Sequence, residues 1–496
     1  QFLLQIGFVY WRIMRKAKIL ATIGPASRKQ EVIEQLIMAG LNAVRINMSH
    51  GTHEEHAESI RNARAAAEKC QKALAVLVDL SGPKIRTRTL QDGKSVELKY
   101  GEEFIITSRD IVGNEHQVST TFVELPKLVS VGETILLDDG ALKLQVEKVD
   151  GEDVYCRVIV GGMLSERKGI NLPNTHLPIP SLTDKDRVDL EFAISQNVDY
   201  IALSFVRKAE DCIEAKQLIK ALNTRELGRP MLVAKIEKAE AIANLEEIIK
   251  ATDGVMVARG DLGVETSVEK VPVYQKEIIQ YSVANDKFVI TATQMLQTMI
   301  DNPFPTRAEA SDVANAVWDG TDAVMLSAET ASGKYPVESV RTMAEIIDAA
   351  EEIPPKYLKK PIKFEQPPTG KTSQALCRAA AYAAKEIGTE KVAVFTESGL
   401  MARRMSAFRS GLQTFALTSS HDVKNQLALI WGVRPMYHKA GDSTESMLKS
   451  GEKKLLSLEN CVEGQETIIM MAGRLSGLGL SSSVVVWTIG EDVPKR

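Results

Sequence analysis

The stretches MLVAKIE (231–237) and GVMVARGD (254–261) decide how this chain is to be read. Each is an apolar, β-branched run of the kind a fully buried parallel strand requires, and each breaks into charge at its C-terminal end, at Glu237 and at Asp261. In a sheet or barrel of parallel strands, loops and helix N-termini converge at that end, which is where sites are built. Adjacent strands delivering both carboxylates to one rim make an all-oxygen cradle suited to Mg2+ or Mn2+, cations that keep waters exchangeable for substrate phosphate. Lys235 stands two residues before Glu237 and therefore shares its face of the strand. A lysine beside a divalent cation is an arrangement for phosphoryl transfer or for stabilising an enolate. The alternative reading of the same residues is an ordinary salt bridge at the rim.

Six further apolar runs behave alike: AKILATIG (17–24), AVRINM (43–48), ALAVLVDL (73–80), YIALSFV (200–206), FVITATQ (288–294) and AVMLSAE (323–329). Between most of them lie stretches with apolar residues at helical spacing, such as EVIEQLIMAG (31–40) and EAIANLEEIIKATDG (240–254), each closed by a glycine. Eight strand-and-helix repeats are the count of a closed (β/α)8 TIM barrel. The polar residues gather where such a barrel carries its site: Arg45, Asn47, Asp79, Ser204, Lys235, Glu237, Asp261, Thr293 and Glu329 all stand at or just past the C-terminal end of a run.

One interval breaks the rhythm, between the third run and the fourth. There SVELKYGEEFIIT (95–107), ETILLDDGALKLQVEKVDG (133–151) and DVYCRVIVGG (153–162) alternate polar and apolar residues and are punctuated by DG and GG turns, the pattern of antiparallel hairpins. An all-β domain inserted in the third βα loop hangs over the active rim, as a lid that excludes water. After a Pro- and Lys-rich linker (Pro354 to Pro368) come helix SQALCRAAAYAAKEIG (373–388), strand KVAVFT (391–396), helix LMARRMSAF (400–408), strand TFALTSS (414–420) and the apolar runs TIIMMAG (467–473) and SVVVWTIG (483–490), which read as an open α/β sheet. The expected plan is an extension over 1–13, a discontinuous barrel over 14–87 and 169–350, a lid over 88–168 and a C-terminal α/β domain over 351–496.

Composition excludes other classes. A chain of 496 residues is too long for one compact core, and 44% hydrophobic with 25% charged residues is ordinary for a globular protein. A net charge of −4 leaves no overall basic field for nucleic acid or an anionic membrane. Five scattered cysteines without a CxxC pair read as reduced thiols of a cytoplasmic protein. The opening QFLLQIGFVYWRI is too short to span a bilayer and lacks the basic start and cleavage site of a signal peptide. It reads as an appended or mis-started extension ahead of Met14, a bound N-terminal helix being the alternative.

The motifs ATIGPAS (21–27), RINMSHG (45–51), DLSGPKIRT (79–87), KGINLP (168–173), AKIEKAEA (234–241), ARGDLG (258–263), ATQML (292–296), PTRAEASDVANAV (305–317) and LSAET (326–330) together resemble the pyruvate kinase family. The resemblance is specific from about Met14 to Glu351 and looser beyond. It implies transfer of the phosphoryl group of phosphoenolpyruvate to ADP, giving pyruvate and ATP. By matching motif it implies that Glu237 and Asp261 hold the divalent cation and that Lys235 lies against the transferring phosphoryl group. Gly260 and Asp261 begin a turn whose N–H groups suit the substrate carboxylate. Arg45 and Arg86 clamp phosphate oxygens, and Thr293 orients the proton delivered to the enolate carbon, or else caps the following helix. Asn47, His50, Arg86 and Lys168 serve the nucleotide, Arg167 being the alternative to Lys168. Of His50, His53 and His56, only His50 is expected near the site; the other two read as solvated helix surface.

The resemblance also carries a departure. Members that depend on K+ typically have Glu where this chain has Lys84, so the chain is similar to the K+-independent kind. An ammonium beside Asp79 would replace the monovalent ion otherwise held by Asn47, Ser49, Asp79 and the Leu80 carbonyl. Farther on, Thr396, Ser398 and Gly399 form a strand-to-helix turn of phosphate-binding kind, which resembles the family's effector site for a sugar phosphate or nucleotide; an ordinary βα turn is the other reading. The Gly-rich AGRLSGLG (472–479) would complete such a site. The family usually assembles as homotetramers. Two other functions remain open at this point: an aldolase or lyase using the same metal pair, and a non-catalytic descendant.

Overall fold

The computed structural model describes residues 15–173, 175, 178–353, 371–439, 443–457, 461–464, 466–472 and 483–490. The expected extension over 1–13, the linker from Pro354 to Pro368 and the Gly-rich stretch beyond 472 lie outside the described residues.

The eight apolar runs are eight parallel strands: β1 (Lys18–Thr22), β2 (Ala43–Asn47), β3 (Ala75–Asp79), β4 (Tyr200–Leu203), β5 (Met231–Ile236), β6 (Gly254–Ala258), β7 (Phe288–Ala292) and β8 (Ala323–Leu326). Each pairs with its neighbours in chain order, and β8 returns to β1, closing the barrel. Six of the strands are buried at every position, as strands sandwiched between a barrel interior and a helical layer must be. The exceptions fall at the rim-facing ends of β2 and β5, where Arg45, Asn47 and Lys235 are only half-buried. Asn47 pairs with Asp79 across β2 and β3, and Asp79 with Ala202 across β3 and β4, so these polar residues arrive at one height.

The inserted unit is a six-stranded sheet in the order Ile170–Asn171, Thr134–Leu137, Leu142–Asp150, Asp153–Val160, Glu103–Thr107, Gln117–Ser119, with a separate pair made by Gly162–Leu164 and Val96–Leu98. Its pairings are antiparallel, as the alternation indicates, with one departure: Glu103–Thr107 and Gln117–Ser119 run parallel. The loop 108–116 carries the chain back before the second strand begins, so adjacency in sequence does not make this pair a hairpin.

The C-terminal unit is a five-stranded sheet in the order Val433–Tyr437, Gln413–Thr418, Lys391–Phe395, Thr467–Ala472, Ser483–Thr488, the last strand antiparallel. Val433–Tyr437 escapes a sequence reading because Pro435 lies in it. Proline is tolerated at a sheet edge, and an edge is where this strand sits. The sheet's helical layer covers the barrel face opposite the site. One apolar cluster runs from the barrel interior (Leu20, Leu77, Met256, Ile290) into Val394, Ala428 and Leu429. Polar contacts fix the same junction: the buried Tyr200 hydroxyl donates to the Gln426 carbonyl, and the Gln426 amide donates to the carbonyls of Gly228 and Arg229 at 3.1 and 2.7 Å.

At the same junction Lys18 is buried and donates to the Val433 carbonyl at 2.9 Å. Burial, aided by the charge of Arg15, pushes its pKa down to about 7. The unfolded chain holds this proton up to its ordinary value near 10.5, whereas the folded protein releases it near 7. The penalty for the buried charge is therefore full below pH 7 and vanishes as the pH rises toward 10.5. We expect wild-type stability to gain on that of Lys18→Met by up to about 1.4 kcal/mol per pH unit within this window. Urea melts of both proteins between pH 7 and 10 check it; parallel curves would contradict it.

Candidate active site

The strand ends bring together what the sequence predicted for one rim. The Lys235 ammonium lies 2.7 Å from Ser204 Oγ, 3.4 Å from Asp79 Oδ1 and 3.5 Å from Glu237 Oε2. Asp79 and Glu237 are almost wholly buried. Burial opposes the charge of Lys235, but the two carboxylates outweigh it and hold its pKa above the ordinary lysine value. For Asp79 burial works upward, and Lys235 together with Arg45 overcomes it, leaving the carboxyl below its usual range. Arg45 reaches Asp79 Oδ2 through Nε and Nη2, both at 2.7 Å, and Thr22 Oγ1 through Nη1 at 3.1 Å. It is thus an ion-pair partner of Asp79 as well as a rim cation.

Glu237 differs. Burial, with the charge of Asp261 adding, pushes its carboxyl up to about 7 against the pull of Lys235. Its Oε1 accepts from the Phe205 N–H at 2.6 Å, while Oε2, fully buried, has no hydrogen-bond partner. Phe205 aims its N–H this way by adopting φ 55°, left-handed for a side-chain-bearing residue. The approach also requires Gly82, at φ 65°, where a Cβ would stand 2.6 Å from the Phe205 ring. A buried carboxylate oxygen met only by the Lys235 ammonium at 3.5 Å, with a second carboxylate within electrostatic reach, fits a divalent cation. Among the described residues no group of three or more His, Cys, Asp and Glu forms a dedicated cage. A cation held by the pair Glu237 and Asp261 would keep coordination positions for water and substrate, as Mg2+ prefers.

Asp261 and Gly260 lie in the first turn of the short helix Arg259–Glu265 that follows β6. The Gly260 N–H, expected to face a substrate carboxylate, donates here to Thr293 Oγ1 at 2.8 Å, and that hydroxyl donates to the Ala292 carbonyl at 2.6 Å. Thr293 caps no helix of its own; it and Gln294 have φ 68° and 54°.

The nucleotide and monovalent candidates gather at and beyond the ends of β2 and β3. Burial first, then the charges of Arg86, Lys84 and Arg45, push the His50 pKa down, which groups these residues. Asn47 Oδ1 accepts from the Ser49 N–H at 3.2 Å, and the Leu80 carbonyl accepts from Ser204 Oγ at 2.7 Å. The expected contact of Lys84 with Asp79 is not formed. Asp79 is taken by Arg45 and Lys235, while Lys84 is exposed, its Cε 3.9 Å from the place a Cβ on Gly169 would occupy. The turn at Gly82 carries the chain outward before Lys84 is reached. Arg86 donates to the Arg167 carbonyl at 3.0 Å, and the Lys168 ammonium pairs with Asp138 of the lid at 2.9 Å. His53, expected at the solvated surface, instead stacks on Phe192 at 4.3 Å and meets Asp189 at 2.8 Å. His56 is half-buried as well.

The lid is tied to the rim by Asn171, which donates to Glu265 Oε1 at 2.9 Å, a carboxylate also paired with Lys238 at 2.7 Å. Beside this junction lies a cavity of ≈ 230 Å³ lined by residues including Ile85, Leu172, Phe205 and Lys238. In the C-terminal sheet, Gly399 (φ 76°) starts the helix Leu400–Ala407, Thr396 is buried and the Ser398 carbonyl accepts from Arg403 at 3.2 Å. Arg259 is a rim residue that sequence reasoning passed over. It contacts three successive carbonyls after β7, and carbonyls leave no mark on side-chain identity.

Comparison with known proteins bears on this geometry. The family model described as "Pyruvate kinase, barrel domain" matches residues 14–340, and that described as "Pyruvate kinase, alpha/beta domain" matches 374–486. Pyruvate kinases of Staphylococcus aureus strains MRSA252 and bovine RF122 / ET3-1 are each 41% identical over 487 residues, covering 97% of this chain and 81% of theirs. A crystal structure of a pyruvate kinase from Cryptosporidium parvum superposes with a TM-score of 0.85 at 34% identity, covering 95% of this chain and 96% of that one. Barrel, lid and α/β domain are those of a phosphotransferase enzyme. The chain belongs to the pyruvate kinase family.

The shared ammonium gives a stability prediction. Lys235→Met leaves Asp79 and Glu237 buried without their common cation, which should destabilise the fold by about 3–5 kcal/mol. Urea unfolding at pH 8 measures it; a loss under about 1 kcal/mol would show that the carboxylates do not depend on this lysine.

Proposed function

We propose that the protein transfers the phosphoryl group of phosphoenolpyruvate to ADP, with Mg2+ or Mn2+, and that it does so without K+. The observation that carries this reading is the charged Lys235, held 3.4 and 3.5 Å from two buried carboxylates on the rim that also bears Asp261 and Thr293. Glu237 and Asp261 would hold the divalent cation. When bound, it neutralises charge building on the enolate and phosphoryl oxygens. Lys235 presents a fixed cation to the phosphoryl group, in a site where burial makes charge stabilisation strong. Arg45 and Arg86 orient phosphate oxygens, Thr293 sets the proton delivered to the enolate carbon, and the turn at Gly260 and Asp261 receives the substrate carboxylate through the Asp261 N–H, the Gly260 N–H being held by Thr293 Oγ1. Asn47, His50, Arg86 and Lys168 serve the nucleotide, and lid closure about the Asn171–Glu265 junction excludes water.

Lys84 acts in this reading through its field and not through contact with Asp79. After burial and the charge of Arg86, the charges of Lys84 and Arg45 also push His50 down, and this excess of positive charge would substitute for a monovalent ion beside Asn47, Ser49, Asp79 and Leu80. Assembly as a homotetramer and response to a phosphorylated effector at Thr396, Ser398 and Gly399 follow the family's habit. Five cysteines, all free thiols, support a reducing compartment, the cytoplasm.

Pyruvate formation from phosphoenolpyruvate and ADP with Mg2+, in buffer free of Na+ and K+ and again with KCl at constant ionic strength, tests the reading. Comparable rates are expected in both, and Lys84→Glu should raise the stimulation by KCl to about tenfold or more, which corresponds to ~1.4 kcal/mol of lost field stabilisation. Wild-type activity only with KCl would overturn the role of Lys84. Silence of folded protein in both buffers would overturn the reaction.

A further inference from the structure

The turn after β7 is an unusual piece of backbone. Thr293 and Gln294, neither of them glycine, both adopt left-handed φ, so the carbonyls of Ala292, Thr293 and Gln294 leave the strand ladder in succession. Carbonyls turned inward this way need donors. One side chain reaches all three: Arg259 donates from Nε to Ala292 O and Thr293 O, both at 3.2 Å, and from Nη2 to Thr293 O at 2.6 Å and Gln294 O at 3.3 Å. Its remaining nitrogen, Nη1, is anchored on Asp312 Oδ1 at 2.8 Å and Gln275 Oε1 at 3.3 Å. The side chain is only 10% exposed. The planar guanidinium suits this task because its donors diverge in a fixed fork, which an ammonium cannot reproduce.

The arrangement bears directly on the Thr293 hydroxyl. Oγ1 accepts from the Gly260 N–H and donates to Ala292 O, the same oxygen that Arg259 Nε occupies from the other side. By donating to that carbonyl, Arg259 competes with the threonine for it and weakens the hold on the hydroxyl proton. By fixing the turn, it also fixes where Oγ1 stands relative to Gly260 and Asp261. We propose that Arg259, anchored by Asp312, is a positioning residue that sets the Thr293 hydroxyl for proton delivery to the enolate carbon. The inference rests on the role given to Thr293 above.

The experiment compares Arg259→Met, Arg259→Lys and Asp312→Asn with Thr293→Ala and wild type. It reads kcat and KM for phosphoenolpyruvate, and the exchange of pyruvate methyl hydrogens into D2O by NMR. Arg259→Met is expected to lose about 10–100-fold in kcat and in exchange alike, the range for a group supporting a reacting residue, with KM changed less than about threefold. Arg259→Lys should recover little, because the fork is gone. Asp312→Asn should lose less in the same direction, and it carries the test with Arg259→Lys should the methionine variant fail to fold. Added ethylguanidinium should restore part of the exchange to Arg259→Met. Wild-type exchange in folded Arg259→Lys and Asp312→Asn, or a loss confined to KM, would overturn the proposal. Unchanged exchange in Thr293→Ala alone would instead remove the role of Thr293, which separates the two failures.

Discussion

A single ammonium group sits at the centre of this rim. Lys235 reaches carboxylates delivered by two other places in the chain, Asp79 at the end of β3 and Glu237 two residues along its own strand. Both buried carboxylates lean on it for charge compensation, and their charges hold the lysine protonated against the cost of burial. The balance is unequal. Asp79 also has Arg45 and is held ionised, whereas Glu237 is pushed upward and keeps one oxygen without a hydrogen-bond partner. That inequality supports the proposal of a further cation on the side of Glu237 and Asp261.

The rest of the molecule keeps this geometry in place. The barrel strands are buried along almost their whole length, and the C-terminal sheet plugs the opposite face with an apolar cluster shared with the barrel interior. Three of the left-handed non-glycine positions stand at the rim, Phe205, Thr293 and Gln294, each within a network of hydrogen bonds that over-determines it. Such strain persists only where surrounding contacts hold it. The lid joins through a small polar junction, Asn171 with Glu265 and Lys238, beside a cavity instead of a packed core. A joint of that kind is weaker than the barrel and suited to opening.

How much of this was legible depended on the kind of interaction. Lys235, Glu237 and Asp261 could be placed from the sequence because strand period and strand end dictate face and rim, and all eight barrel strands followed from the same rule. Elements set by chain path were not legible. The parallel pair Glu103–Thr107 with Gln117–Ser119 looks like a hairpin in sequence, and Pro435 hides the edge strand Val433–Tyr437. The expected Lys84–Asp79 contact failed for the same reason, since the left-handed turn at Gly82 sends the lysine outward while Arg45 takes the carboxylate. Arg259 was missed because the groups it holds in the turn after β7 are backbone carbonyls, which have no sequence signature.

The central claim is that the Lys235 charge acts on the transferring phosphoryl group and is not merely a structural counter-ion. Steady-state turnover of phosphoenolpyruvate and ADP by Lys235→Met, measured beside Mn2+ binding by the same folded protein, tests this most directly. The account predicts a loss of about 10³-fold in kcat with Mn2+ still bound, the scale of removing a preorganised charge from a buried site. Turnover within about tenfold of wild type would contradict it, because a tenfold change corresponds to only ~1.4 kcal/mol of transition-state stabilisation.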